Sequence, residues 1–98
     1  MTRQLIVTAH ARAEIAEASD RYDAQSQQVG SEFLRAVDSA LEVITKNPLQ
    51  YQVIERKGRR APIGKFPYGL FYSVSPNEIT VVACLHGRRN PGRWRSRL

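Results

Sequence analysis

A carboxylate base, cationic donors and an acid, the side chains that could move protons or hold phosphate, occur together in the second half of this sequence. Glu55 offers a carboxylate base. Arg59, Arg60 and Lys65 offer cationic donors, and His86 offers an acid whose ordinary pKa lies near ~6.5. Displacing an oxygen from phosphorus by an internal hydroxyl needs such a base, such cations for the developing charge, and such an acid. Glu55, Arg60 and His86 therefore form one candidate catalytic set. The bland alternatives are a solvated Glu55 paired with Arg56 or Lys57, and a His86 packed at a strand end. Other chemistries find less support. His10 lies far in sequence from the single cysteine, Cys84, and from His86, so no metal site is expected, and no cofactor is implied. The serines sit in no nucleophile elbow.

The remaining cations suggest binding. Arg56, Lys57, Arg59 and Arg60 flank Gly58, a grouping able to grip phosphate. The last stretch, Arg88-Arg89-Asn90-Pro91-Gly92-Arg93-Trp94-Arg95-Ser96-Arg97, interleaves five arginines with the one tryptophan. Arginine supplies bidentate hydrogen bonds and stacking, and tryptophan is a frequent interface anchor. Arg56, Arg59, Arg60, Lys65, Arg88, Arg89, Arg93, Trp94 and Arg95 are accordingly the expected target-binding residues. Trp94 has a competing role as a plug folded back on the sheet.

Charge is divided along the chain. Residues 1–50 carry five basic and seven acidic side chains, net −2, whereas residues 51–98 carry ten basic and two acidic, net +8. Such a half attracts polyanions or an acidic protein through a field that salt screens. With 98 residues, 42% of them hydrophobic and 24% charged, the chain has the proportions of one globular domain, residues 1–98, with 87–98 as a basic tail. The apolar stretch Leu5-Ile6-Val7 is too short for an export signal, and Ile79 to Leu85 is too short to span a bilayer. One cysteine implies packing in a reducing compartment, so the expected location is the cytoplasm, away from membranes.

The elements that must position these residues follow from periodicity. Arg3 to Val7 suits a short strand, and Thr8 an N-cap. Ala11, Ile15, Ala18 and Tyr22 repeat at helical spacing, and Glu14 and Glu17 fall on other faces. After a polar connector, Asp23 to Gln28, comes a second stripe of Val29, Phe33, Val37 and Leu41 that ends at Asn47-Pro48. Leu49 to Arg60 is consistent with either extended or loop structure. Ala61 to Phe66 reads as an edge or bulged strand because of Pro62 and Gly64. Tyr68, Leu70, Tyr72 and Val74 alternate in a further strand. Ser75 to Glu78 is turn chemistry, and Ile79 to His86 a central strand with Ile79, Val81, Ala83 and Leu85 on one face. The expected fold class is α+β: an N-terminal strand, a two-helix antiparallel hairpin, then a three-stranded antiparallel sheet.

This order, with Gly30, Phe33, Asn47-Pro48, Arg60, Phe66-Pro67-Tyr68-Gly69-Leu70-Phe71-Tyr72, His86-Gly87-Arg88-Arg89-Asn90-Pro91 and Trp94, resembles the RelE/ParE superfamily of type II toxin–antitoxin toxins over the whole chain. The resemblance implies a toxin held inactive by a cognate antitoxin. RelE-like members cut messenger RNA on the ribosome, and ParE-like members are associated with poisoning DNA gyrase. RelE-like enzymes typically carry a tyrosine near the C-terminus, whereas this chain has none after Tyr72. The arginine and tryptophan tail is similar to that of ParE-like relatives. The resemblance therefore implies gyrase, or a gyrase–DNA complex, as target, with the ribosome and its mRNA as the alternative. It favours binding over catalysis.

Overall fold

The computed structural model describes residues 3–87 and 91–98, the side chain of Pro91 excepted. In chain order its elements are β1 (Gln4–Val7), α1 (Ala9–Gln25), α2 (Gln27–Lys46), β2 (Val53–Glu55), β3 (Gly58–Ile63), β4 (Phe66–Val74), β5 (Glu78–His86) and a short α3 (Pro91–Arg95). The α+β class stands, and the strands that follow the helices form an antiparallel meander. A short β2 joins the expected three, giving one sheet in the order β1-β5-β4-β3-β2. β1 returns to lie parallel to β5, Gln4 opposite Glu78 and Val7 opposite Val81.

The helices begin where hydroxyl caps are available. Thr8 accepts from the Ala11 amide at 3.2 Å, satisfying one of the donors that a helix start leaves open. The six-residue connector contracts to Ser26 alone. Its extended backbone donates to the Tyr22 carbonyl and its hydroxyl accepts from Gln28 N at 3.2 Å, so one residue ends α1 and starts α2. The turn is tight enough that a β-carbon on Gly30 would fall 1.7 Å from Asp23 Oδ1.

The α2 stripe buries Phe33, Val37, Ala40 and Ile44 against the sheet. With Ala11 and Ala18 of α1 they meet Ile63, Tyr68, Leu70, Tyr72, Ile79, Val81 and Cys84 in the main core. Within it, Phe33 meets Phe66 and Tyr68 in edge-to-face contacts, with ring centroids 5.2 and 5.5 Å apart.

Two strand expectations need correction. β3 runs from Gly58 to Ile63, not from Ala61 to Phe66. The basic cluster is itself strand, because Arg59 pairs with Tyr72 and Arg60 with Phe71, and the Arg60 guanidinium lies over the Phe71 ring. The turn then falls at Gly64, with φ +51°, and the register slips beside Pro62, which cannot donate. The alternation of β5 does not hold along its whole length either. Phe71 lies opposite Ala83 and Tyr72 opposite Val81, so Val82 is an extra residue on β5 and the pleat changes phase there. Ile79, Val81 and Cys84 consequently face the helices, while Val82, Ala83 and Leu85 face away.

The faces turned away from the helices form a second, smaller core of Phe71, Val82, Ala83, Leu85 and Trp94. The tail docks there. The segment from 49 to 52, which patterning left undecided, is held as a loop by the sheet: Tyr72 Oη donates to Pro48 O at 3.0 Å, and Arg59 Nη1 donates to Tyr51 O.

Candidate target-binding surface

The site is built from the β2–β3 hairpin and the C-terminal segment, which meet over the face of the sheet opposite the helices. Trp94 is 2% exposed. Its ring stacks on Phe71, centroids 4.8 Å apart and planes 23° from parallel. Gly58 makes room beneath it. In this position Trp94 packs as a plug against the sheet.

Arginines flank the indole at two anchor points. Arg95 Nη2 lies 2.6 Å from Glu55 Oε1 of β2. Arg97 reaches the other side of the molecule, where Nη1 and Nη2 donate to Glu14 Oε1 and Oε2 of α1 at 2.9 and 3.2 Å. Both partners of that second pair are largely enclosed, with side chains 18% and 12% exposed. The Glu14–Arg97 pair was not legible in the sequence: Glu14 reads as a solvated helix residue, and no local spacing connects it to a position 83 residues later.

Nearby, burial and the Glu14 carboxylate push the Cys84 thiol up to about 12. Burial also raises the pKa of the Tyr72 phenol, against the opposing charge of Arg59.

The three residues of the candidate catalytic set do not come together. Arg60 lies on the Trp94 side of the sheet, its guanidinium carbon 5.9 Å from the centroid of Phe71. His86 pairs with Tyr68 and turns to the helix side, edge-on to that ring at 5.2 Å. Glu55 is occupied by Arg95. A base, a charge stabiliser and an acid aimed at one phosphate would have to share a face, and the sheet separates them.

The other expected binding residues lie apart in three places. Arg56, Lys57 and Arg59 line a groove of about 430 Å³ together with Arg3, Leu49, Val53 and Val74, and none of the described residues lining it is acidic. Two of its apolar lining residues, Leu49 and Val53, stand 59% and 48% exposed. Lys65, at the β3–β4 turn, lies 3.9 Å from Glu32 and over the Phe66 ring. Arg93 is exposed and borders a small cleft with Glu17, Arg21 and Tyr68. Arg88 and Arg89 lie outside the described residues. Among the described residues no cluster of three or more metal-ligating side chains occurs, and no helix is long and apolar enough to cross a membrane.

The comparison that decides the family covers most of the chain: the sequence family described as the ParE toxin of the type II toxin–antitoxin system, parDE, matches residues 5–91. The chain belongs to the ParE toxin family. Among solved structures, this ParE-family chain is similar to one described as the chromosomal ParDE TA system from P. aeruginosa. That likeness has a TM-score of 0.78 at 13% identity and covers 89% of this chain and 98% of the other. It is also similar to the YoeB dimer from Staphylococcus aureus, with a TM-score of 0.58 at 14% identity, covering 88% and 98%. At these identities the likenesses show the shared fold. No curated protein sequence matches the chain.

Proposed function

We propose that this ParE-family toxin stops growth in the cytoplasm by binding DNA gyrase or a gyrase–DNA complex, and that a cognate antitoxin covers its basic surface until released. The carrying observation is the separation of the acid–base residues. Glu55 is paired with Arg95 and His86 faces the helix side, whereas Arg56, Lys57 and Arg93 point outward with their charges available. A cationic surface with apolar neighbours acts by docking, through steering and bidentate contacts, and needs no proton transfer. The P. aeruginosa ParDE likeness supports an antitoxin as partner. The cation-lined groove with exposed Leu49 and Val53 suits an antitoxin segment that carries acidic residues and apolar anchors.

Supercoiling and cleavage reactions with purified gyrase test the reading. Loss of supercoiling with accumulation of cleaved DNA is the expected result, and transcript 5′ ends mapped after induction should stay unchanged. In-frame cuts in ribosome-bound messages, abolished by His86→Ala, together with unaffected gyrase, would replace it with a ribosome-dependent endonuclease.

A further inference from the structure

β5 extends past the end of its neighbour. β1 pairs with it as far as Val81, whose carbonyl accepts from Thr8 N at 3.0 Å, and then the chain turns into α1. Beyond that point β5 turns backbone groups to the open edge, and two of them find partners in Glu14 and Arg97. Cys84 N donates to Glu14 Oε1 at 3.0 Å, and Val82 O accepts from Arg97 Nη1 at 3.0 Å. The same Glu14 and Arg97 bind each other through both oxygens and both terminal nitrogens. An ion pair thus stands where the next residues of a strand would be, and it joins α1, β5 and the C-terminal segment at one place.

The geometry points to Glu14 as the positioning residue of the toxic tail. Acting through Arg97, it fixes the C-terminal segment on the sheet and so sets where Arg93 and Arg95 stand toward the target. Three observations carry this. The pair is enclosed enough that water replaces it poorly, and a bidentate arginine–carboxylate contact fixes direction as well as distance. Both partners are further committed to the backbone of β5, so neither can shift alone without leaving a strand group unpaired. Trp94 lies only three residues before Arg97, with Arg97 N bonded back to Trp94 O at 3.0 Å, so docking of the indole and the ion pair form one unit. Glu14 belongs to the half of the chain with net negative charge, and its carboxylate is taken up by Arg97 and the backbone of β5.

This inference rests on the reading of the basic tail as a working surface, but its test does not pass through gyrase. Trp94 is the only tryptophan, so quenching of its fluorescence by acrylamide reports tail docking directly. Glu14→Gln keeps the shape and an acceptor for Cys84 N but removes the charge. Arg97→Ala removes the other partner. The expected result is that each variant keeps its circular dichroism and shifts the docking equilibrium about tenfold or more, as a lost charge-assisted pair should. Trp94 becomes accessible, growth arrest on induction weakens in step, and the double variant is no worse than either single one. Arg97→Lys, which keeps the charge but not the fork, should fall between. Should Glu14→Gln leave Trp94 as shielded as in the wild type, or expose it while growth arrest persists undiminished, the positioning role is overturned. A wild type without effect on purified gyrase would overturn the proposed target and leave this inference standing.

Discussion

Trp94 lies on the bare α-carbon of Gly58: a β-carbon built there would come 2.2 Å from ring atom Cζ3 and 2.9 Å from Cη2. The glycine is required by this close approach, since its backbone is ordinary strand, paired with Glu55. The basic hairpin and the tail are therefore fitted to one another through the absence of a side chain.

Gly58→Ala should push the indole off Phe71 and cost about 1–3 kcal/mol, the usual penalty for overfilling a packed site. Chemical denaturation followed by Trp94 fluorescence measures it. Gly92→Ala, where nothing lies within 4 Å of the added carbon, should cost nothing comparable in the same experiment.

Trp94→Ala should lose about 3–5 kcal/mol of stability by emptying the second core, while Trp94→Phe should lose less. Toxicity of these variants has to be compared with their unfolding curves. The Phe variant should retain growth arrest if the ring serves packing, and a folded Trp94→Phe protein that has lost all activity would give the indole a direct role at the target.

Removing Arg56 and Lys57 together, as alanines, should leave stability within roughly 0.5 kcal/mol, because both side chains are exposed in the β2–β3 turn. Binding of the target should weaken, and its dependence on salt should become shallower. A binding curve repeated at several ionic strengths separates this from a folding defect.

Tyr72→Phe should cost about 0.5–1.5 kcal/mol, the net worth of one hydrogen bond, since its hydroxyl holds Pro48 O at 3.0 Å. Hydrogen exchange should speed up in residues 47–52 more than elsewhere.

Stability should fall on the alkaline side. The folded Cys84 thiol is raised to about 12, by burial first and Glu14 second, whereas an unfolded thiol titrates near ~8.5. Between those values the unfolded chain has lost a proton that the folded chain keeps. The contribution is complete below pH ~8.5 and declines through pH 12 by at most about 1.4 kcal/mol per pH unit. Cys84→Ala should flatten that decline, and thiol reagents at pH 8 should modify native Cys84 far more slowly than unfolded protein.

Local patterns determined a good deal of this molecule. Thr8 fixed the start of α1, Asn47-Pro48 the end of α2, and the Phe33, Val37 and Ile44 spacing the face that α2 buries, because each depends on neighbours within a few residues. The uneven charge placed the positive excess in the second half, since counting needs no coordinates. Tertiary structure decided the rest. Arg59 and Arg60 became strand through pairing with Tyr72 and Phe71, and the phase change at Val82 arose from register with β4; both are relations across strands that no local window contains. The separation of Glu55 and Arg60 from His86, the seat of Trp94 on Gly58, and the joining of Glu14 to Arg97 depend on which face of one sheet each side chain meets. Side chains far apart in sequence share a site only after the sheet has formed, and the residues between them carry no signal of the distance that remains.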